Sequence, residues 1–390
     1  ETSFNATALP PGPGPRISML YVDGNDVRRA AFVDSPSPTF SWELDCRSKD
    51  VPDVAANIAC PRGTVQASYR LQIFLACTKT LVVDSGVINS SVPSVALRQQ
   101  GLKLLEASSR YTYELSVWVV RDKSLSSGTS AAKATVQGHF HTALFSPAEW
   151  SAEWISGGTM LRSAPFAARN STMVSASLLA SGIGCFSLTV NGLNVDTAYP
   201  TSRMDPGFST APRARLLYRA YDVLPLLNGS DGSSGGDKAA ATFVVGASLG
   251  FCKYGFLYNE CEGAHAMHGK CRAISLQLTI RYADGSKQVV QTNTNADSSS
   301  DDVAWTATTI ANPTRYTHLY HGEIFDARLE QPGWNTATGV DTTHVATAWQ
   351  PAIAYPNVEK SRLDVLSLHK FPPMGVAAVV APIKSWMVAP

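Results

Sequence analysis

The sequence predicts an all-β protein of tandem β-sandwiches, a fibronectin-III/Ig-like sandwich followed by a jelly-roll, lectin-like one. Three observations carry that expectation. Short runs with period-two alternation recur along the chain, the hairpin dipeptides Asn191-Gly192 and Asp284-Gly285 close two of them, and no long amphipathic helix interrupts the series. With 390 residues the chain exceeds a single small domain and suits two or three of ~150 residues.

Taken in order, residues 1–16 contain Pro10-Pro-Gly-Pro-Gly-Pro15, which favours an extended Pro-rich tail over any packed element. Residues 17–145 read as the first sandwich, with strand-like runs at Thr39–Leu44, Ala67–Phe74, Leu81–Ser85, Tyr111–Val119 and Gly138–Thr142. In the fourth run Tyr111, Tyr113, Leu115, Val117 and Val119 alternate onto one apolar face. A hinge is expected at Ser146–Trp150. The second sandwich, 146–355, follows with runs at Met173–Leu179, Cys185–Val190, Ala240–Val245, Ile274–Tyr282 and Ala304–Thr308, and the Gly/Ser-rich stretch between Leu227 and Lys238 reads as a polar insertion. Residues 356–390 read as a C-terminal extended strand, the start of a further module or an inter-subunit contact; its apolar run Val376–Val380 has no following partner, so it either folds back on the second sandwich or pairs with another copy, as a homo-oligomer or filament, and the second is the expectation.

Only 16% of residues are charged, and 32 basic residues nearly cancel 31 acidic ones, which argues against nucleic acid as a partner. The longest apolar run, Val376–Ile383, is far below the ~20 residues of a membrane span. Four Asn-x-Ser/Thr sequons, at Asn5, Asn89, Asn170 and Asn228, together with seven cysteines point to a secreted, extracellular glycoprotein. Asn312 is excluded because Pro313 follows it. Cys46 and Cys60 flank a polar loop that a disulfide would close, and Cys252, Cys261 and Cys271 form a second disulfide group. Cys77 and Cys185 sit in apolar runs and are expected to be buried thiols.

Three patterns offer chemistry. Gly246-Ala-Ser-Leu-Gly250 matches G-x-S-x-G, yet the segment after it is not helical and the chain lacks an α/β sheet, so Ser248 reads as a turn residue rather than a nucleophile. Cys261, His265, His268 and Cys271 carry zinc-type ligands in a spacing foreign to standard fingers, and a disulfide-stapled loop is the preferred reading. Two carboxylate pairs, Asp301 with Asp302 and Glu323 with Asp326, offer what a glycosidase requires. The first lies in a solvated turn; in the second, Asp326 and Arg328 are expected on one side of a strand as an ion pair.

The string that holds the second pair, Tyr320-His-Gly-Glu-Ile-Phe-Asp-Ala-Arg-Leu-Glu-Gln-Pro-Gly-Trp334, resembles the signature closing the N-terminal β-sandwich of bacterial-type α-L-rhamnosidases. Pro38–Trp42, Ser68–Arg70, Asp84–Gly86 and Tyr111–Trp118 resemble the fibronectin-III-like first domain of that family. Glu149-Trp150, Ala152–Ile155, Val190–Gly192, Met204–Phe208, Tyr221–Val223 and Tyr282–Gly285 resemble its lectin-like second domain. The resemblance runs from about residue 25 to 355. It implies that acid and base stand in a helical barrel further along than this chain reaches, so catalytic residues are expected to be none. Members of that family bind terminal rhamnose through calcium, which implies a candidate site for rhamnose-containing glycans with Asp205, Glu323 and Asp326 as the nearest matching oxygen donors; Trp334 and Phe208 could stack on a sugar face, but core packing is the preferred reading of each. The expected function is that of a non-catalytic, carbohydrate-contacting, self-associating glycoprotein. The alternatives are the amino-terminal piece of an active α-L-rhamnosidase and a calcium-dependent rhamnose-binding lectin module.

Overall fold

A computed structural model describes residues 15–27, 31–45, 64–97, 105–121, 132–183, 186–195, 216–228, 242–249, 273–294, 303–309, 312–318, 322–337, 349–355 and 366–370. Among them the chain is almost entirely strand. The first ten strands are β1 (Arg16–Val22), β2 (Asn25–Asp26), β3 (Phe32–Val33), β4 (Thr39–Asp45), β5 (Thr64–Leu75), β6 (Thr80–Asp84), β7 (Ile88–Asn89), β8 (Ser94–Ala96), β9 (Arg110–Arg121) and β10 (Ala132–Thr142). They form two sheets, β2-β1-β4-β8 and β3-β10-β9-β5-β6, with β7 added to β5. Between the sheets Phe40, Trp42, Leu71, Ile73 and Phe140 pack against the expected alternating face of β9, where Tyr111, Tyr113, Leu115, Val117 and Val119 are all buried.

The second sandwich begins with β11 (Ile155–Ser156), β12 (Met160–Ser163), β13 (Phe166–Ala167), β14 (Met173–Ile183), β15 (Phe186–Val190), β16 (Leu193–Asn194), β17 (Leu216–Asp222), the short helix α1 (Leu224–Asn228), β18 (Thr242–Phe243) and β19 (Val245–Leu249). It continues with β20 (Ala273–Tyr282), β21 (Lys287–Gln291), β22 (Trp305–Thr308), β23 (Thr314–His318), β24 (Gly322–Phe325), β25 (Gln350–Pro351), β26 (Ile353–Ala354) and β27 (Leu366–Leu368). One sheet runs β26-β11-β20-β14-β17-β27 with β21 on β20, and the other runs β16-β15-β19-β12-β22-β25. Leu161, Leu178, Leu188, Ala247, Leu276 and Leu278 meet between them. The Asn191-Gly192 turn takes positive φ at both residues, 47° and 81°, the geometry that matches the twist of the strands it joins.

Several expectations are corrected. Ser248 is no turn residue: it lies inside β19, opposite Met160 of β12 and Ser187 of β15, so the described part of the G-x-S-x-G string, Gly246–Leu249, is central strand and Ser248 does not sit on a nucleophile elbow. Its glycine serves packing instead. Cys77 is a half-buried thiol in the turn between β5 and β6 rather than a core thiol, because the apolar run before it ends with the strand at Leu75. The expected hinge is a capped turn. The Ser146 hydroxyl accepts from the Ala148 amide, Glu149 Oε2 accepts from the Phe145 amide at 2.7 Å, and Trp150 is buried with its Nε1 donating to Ser275 Oγ at 2.9 Å.

That capped turn enters a third apolar cluster bridging the two sandwiches. Phe32, Ala143 and Leu144 of the first meet Trp154, Leu179, Leu216, Tyr218, Leu366 and Leu368 of the second. The Leu144 amide donates to the Tyr218 hydroxyl at 3.3 Å, and Lys370 Nζ stands 2.7 Å from Asp34 Oδ1. Strand β27 pairs parallel with β17, so part of the C-terminal segment folds back on the second sandwich. The run Val376–Val380 lies outside the described residues.

Candidate carbohydrate-contact site

The rhamnosidase-like string is best understood from the sheet beneath it. On the outward face of the second sheet, Thr189 of β15, Gly246 of β19 and Arg162 of β12 stand side by side in register, while their neighbours Leu188, Ala247 and Leu161 turn into the core. The end of the string lies across this row. Asn335 Nδ2 donates to Thr189 Oγ1 at 2.8 Å, and Arg162 Nη1 donates to the Trp334 carbonyl at 2.9 Å. Gly246 is required for the fit: a Cβ there would stand 2.7 Å from Asn335 Cβ and 3.1 Å from Trp334 Cη2.

Held in this way, the half-buried Trp334 stacks on the half-buried Trp349, with ring centroids 5.8 Å apart and planes 22° from parallel. The Arg162 guanidinium lies 6.0 Å from the Trp349 ring centroid, and Trp349 Nε1 donates to Gln331 Oε1 at 3.3 Å. Burial lowers the Arg162 pKa from its ordinary value. Two stacked indoles beside a guanidinium offer flat apolar area together with hydrogen-bond donors, the combination that suits the C–H face and the hydroxyls of a sugar ring.

Of the expected oxygen donors, Asp326 caps the short 3-10 turn Ala327–Leu329 instead of standing on a strand. Its Oδ1 accepts from Arg328 Nε at 2.8 Å and from the Arg328 amide at 3.1 Å, and its Oδ2 from Nη2 at 2.7 Å. These bonds hold its pKa at about 2. The expected ion pair is present, though by capping geometry rather than strand alternation. Glu323 lies on β24, and Asp205 lies outside the described residues. Calcium takes six to eight oxygen ligands, and Asp326, committed to Arg328 through both oxygens, does not fit a calcium shell as it stands. Outside the described residues also lie Asn5, Phe208, Asp301, Asp302, His265, His268 and the cysteines Cys46, Cys60, Cys185, Cys252, Cys261 and Cys271. The sequon residues Asn89, Asn170 and Asn228 are exposed.

A second polar cluster was missed from sequence. On β10 Phe140 enters the first core, so His139 and His141 turn outward toward the second sandwich. There His141 Nε2 stands 3.4 Å from Asp222 Oδ2 at the end of β17, and Asp222 Oδ1 accepts from the Leu224 amide at 3.2 Å. Burial, followed by the charge of Arg110, lowers the His139 pKa to about 4. Burial raises that of Asp222, but His141, the Leu224 amide and Arg110 together outweigh it and leave the carboxyl below its usual range. The His-x-His alternation at 139 and 141 was the available signal.

Residues 171–364 match the family profile described as the alpha-L-rhamnosidase N-terminal domain. An alpha-L-rhamnosidase of Formosa agariphila is 26% identical over 353 residues, covering 85% of this chain and 32% of that protein. The alpha-L-rhamnosidase structure from Dictyoglumus thermophilum superposes with a TM-score of 0.63 at 22% identity, over 95% of this chain and 37% of that one. The Aspergillus terreus alpha-L-rhamnosidase gives a TM-score of 0.63 at 19% identity, over 92% and 36%. The chain therefore spans about a third of the length of the relatives it matches, their N-terminal region.

Proposed function

We propose that this chain, whose residues 171–364 match the alpha-L-rhamnosidase N-terminal domain profile, is the non-catalytic, carbohydrate-contacting β-sandwich portion of a rhamnosidase-type protein. The observation that carries the reading is the Trp334–Trp349 stack with Arg162 beside it, to which the rhamnosidase-like string contributes Trp334, set on the outer face of the sheet. The relatives named as alpha-L-rhamnosidases make a rhamnose-containing glycan the ligand of choice. The sugar ring lies against the indoles while Arg162 donates to its hydroxyls. Exposure of Asn89, Asn170 and Asn228 supports an extracellular glycoprotein. Self-association through Val376–Val380 rests on the sequence alone.

Tryptophan fluorescence titrated with rhamnose-containing oligosaccharides tests the site, with and without chelator. Saturable quenching, weakened at least tenfold by Trp349→Ala and indifferent to chelator, is the expected result. Absence of binding, or equal binding by the variant, overturns it; loss of binding with chelator alone returns the site to a calcium-dependent lectin. An aryl-rhamnoside assay on the same chain is expected to show no turnover.

A further inference from the structure

We propose that His139, His141 and Asp222 form a binding site for a zinc-type divalent metal ion in the seam between the two sandwiches. One ligand atom from each of the three residues lies within 4.8 Å of the other two. The ring of His141 is completely buried; its Nδ1 has no hydrogen-bond partner among the described residues, and its Nε2 has only the long 3.4 Å approach to Asp222 Oδ2, a costly arrangement for two polar atoms. A metal ion accounts for one of them directly. Ligands on a tetrahedral zinc with bonds of about 2.0–2.1 Å stand about 3.4 Å apart. His141 Nε2 and Asp222 Oδ2 are 3.4 Å apart, so they already span one edge of that tetrahedron. His139, half-buried on the same strand face, supplies the third donor from within 4.8 Å of the other two.

The donor set decides the class of ion. Two imidazoles and one carboxylate suit zinc and its borderline neighbours, whereas calcium and magnesium take oxygen shells. Both ligand strands are fixed: His141 pairs with Arg110 across β9–β10, Phe32 stacks on the His141 ring at 4.8 Å, and Asp222 is tied to the start of α1. Arg110 is the opposing element, since its positive charge faces His139 and Asp222. Because the ligands come from β10 of the first sandwich and β17 of the second, a bound ion staples the two.

The test uses the full chain, stripped with chelator and dialysed, titrated with zinc chloride by calorimetry and with cobalt(II) by visible absorption. One site per chain is expected, with cobalt bands of a low-coordinate nitrogen/oxygen shell. His139→Gln, which keeps size and polarity, is expected to weaken zinc at least tenfold with an unchanged circular dichroism spectrum, and Asp222→Asn likewise. Arg110→Met is expected to tighten zinc roughly fivefold by removing the opposing charge, a gain that a purely structural His–Asp pair does not predict. No uptake by the wild-type chain overturns the proposal. So does equal uptake by His139→Gln, which would move the metal to other groups such as Cys261, His265, His268 and Cys271. If Asp222→Asn fails to fold, His139→Gln decides alone.

Discussion

Arg281 of the second sandwich donates through Nε to the carbonyl of Ser108 in the first, at 2.8 Å, and through Nη2 to that of Ala107 at 3.0 Å. Ser108 holds a left-handed φ of 48°, uncommon for a residue with a Cβ, and its loop is pinned from below. The Glu106 amide donates to the Tyr111 hydroxyl at 2.7 Å, and the Thr142 hydroxyl donates to the Glu106 carbonyl at 2.5 Å. Both pinning side chains belong to strands of the first core, so packing inside one sandwich fixes the carbonyls that the other sandwich reads.

Replacing Arg281 by Met removes those two charge-assisted hydrogen bonds and the 3.6 Å approach to Glu106 while preserving apolar bulk. The freed carbonyls regain water, so the expected cost is about 2 kcal/mol. Calorimetry is expected to resolve two unfolding transitions in the variant and one in the wild type, since the seam then keeps its apolar cluster and only the weaker polar contacts Leu144–Tyr218, Lys370–Asp34 and His141–Asp222. A single unshifted transition would show that Arg281 contributes nothing to the coupling.

Gly246→Ala tests whether the aromatic pair is positioned by the sheet. The new methyl would stand 2.6 Å from Thr189 Oγ1 and 2.7 Å from Asn335 Cβ, distances that force the Trp334–Thr336 segment outward. Overpacking of this kind costs about 1–3 kcal/mol. Fluorescence is expected to report a more exposed indole and glycan binding is expected to fall. Unchanged emission and affinity would mean that the string is held independently of the row Thr189–Gly246–Arg162.

The fold was largely legible because β-sandwiches announce themselves locally. Alternation in β9 and the Asn191-Gly192 and Asp284-Gly285 turns are short-range signals, and each appears where the sequence puts it. The site was harder to see. Trp334 was visible through its string, but Trp349 and Arg162 join it only when distant segments meet over a glycine whose reason is a clearance, not a motif. Ser248 misled for the converse reason: a spacing of glycines around serine carries no information about whether the backbone turns. The His139–Asp222 pairing depends on how two sandwiches dock, and neither local period encodes that. Asp326 shows the intermediate case, where the partner was right and the geometry was a cap.

Glycosylation follows from exposure. Asn89 ends the edge strand β7, Asn170 lies in a bend before β14 and Asn228 ends α1, all accessible to a transferase. Peptide mapping of native material is expected to find glycans on all three. Unmodified peptides at every one would remove the support for an extracellular origin.

Acid sensitivity gives the last prediction, measured in chelator so that no metal contributes. His139 is held at about 4 against an ordinary value near 6.5, first by burial and then by Arg110, with His141 opposing and Asp222 favouring its charged form. Between those two values the unfolded chain binds the proton and the folded chain does not, so acid favours unfolding. The contribution is complete above about pH 6.5 and is lost as pH falls toward 4. The interval alone sets an upper limit of about 3 kcal/mol, which partial exposure of the ring screens to on the order of 1 kcal/mol. Asp84, held at about 2 first by Arg70, and Asp326 act in a lower window, since a depressed carboxyl loses its contribution only as pH falls below the ordinary carboxylate range toward 2. Urea unfolding of wild type and His139→Gln at pH 7.5, 6, 5 and 4.5 separates the two windows. The variant is expected to be less sensitive between pH 6.5 and 4.5, and parallel curves would show that His139 titrates as it does in water.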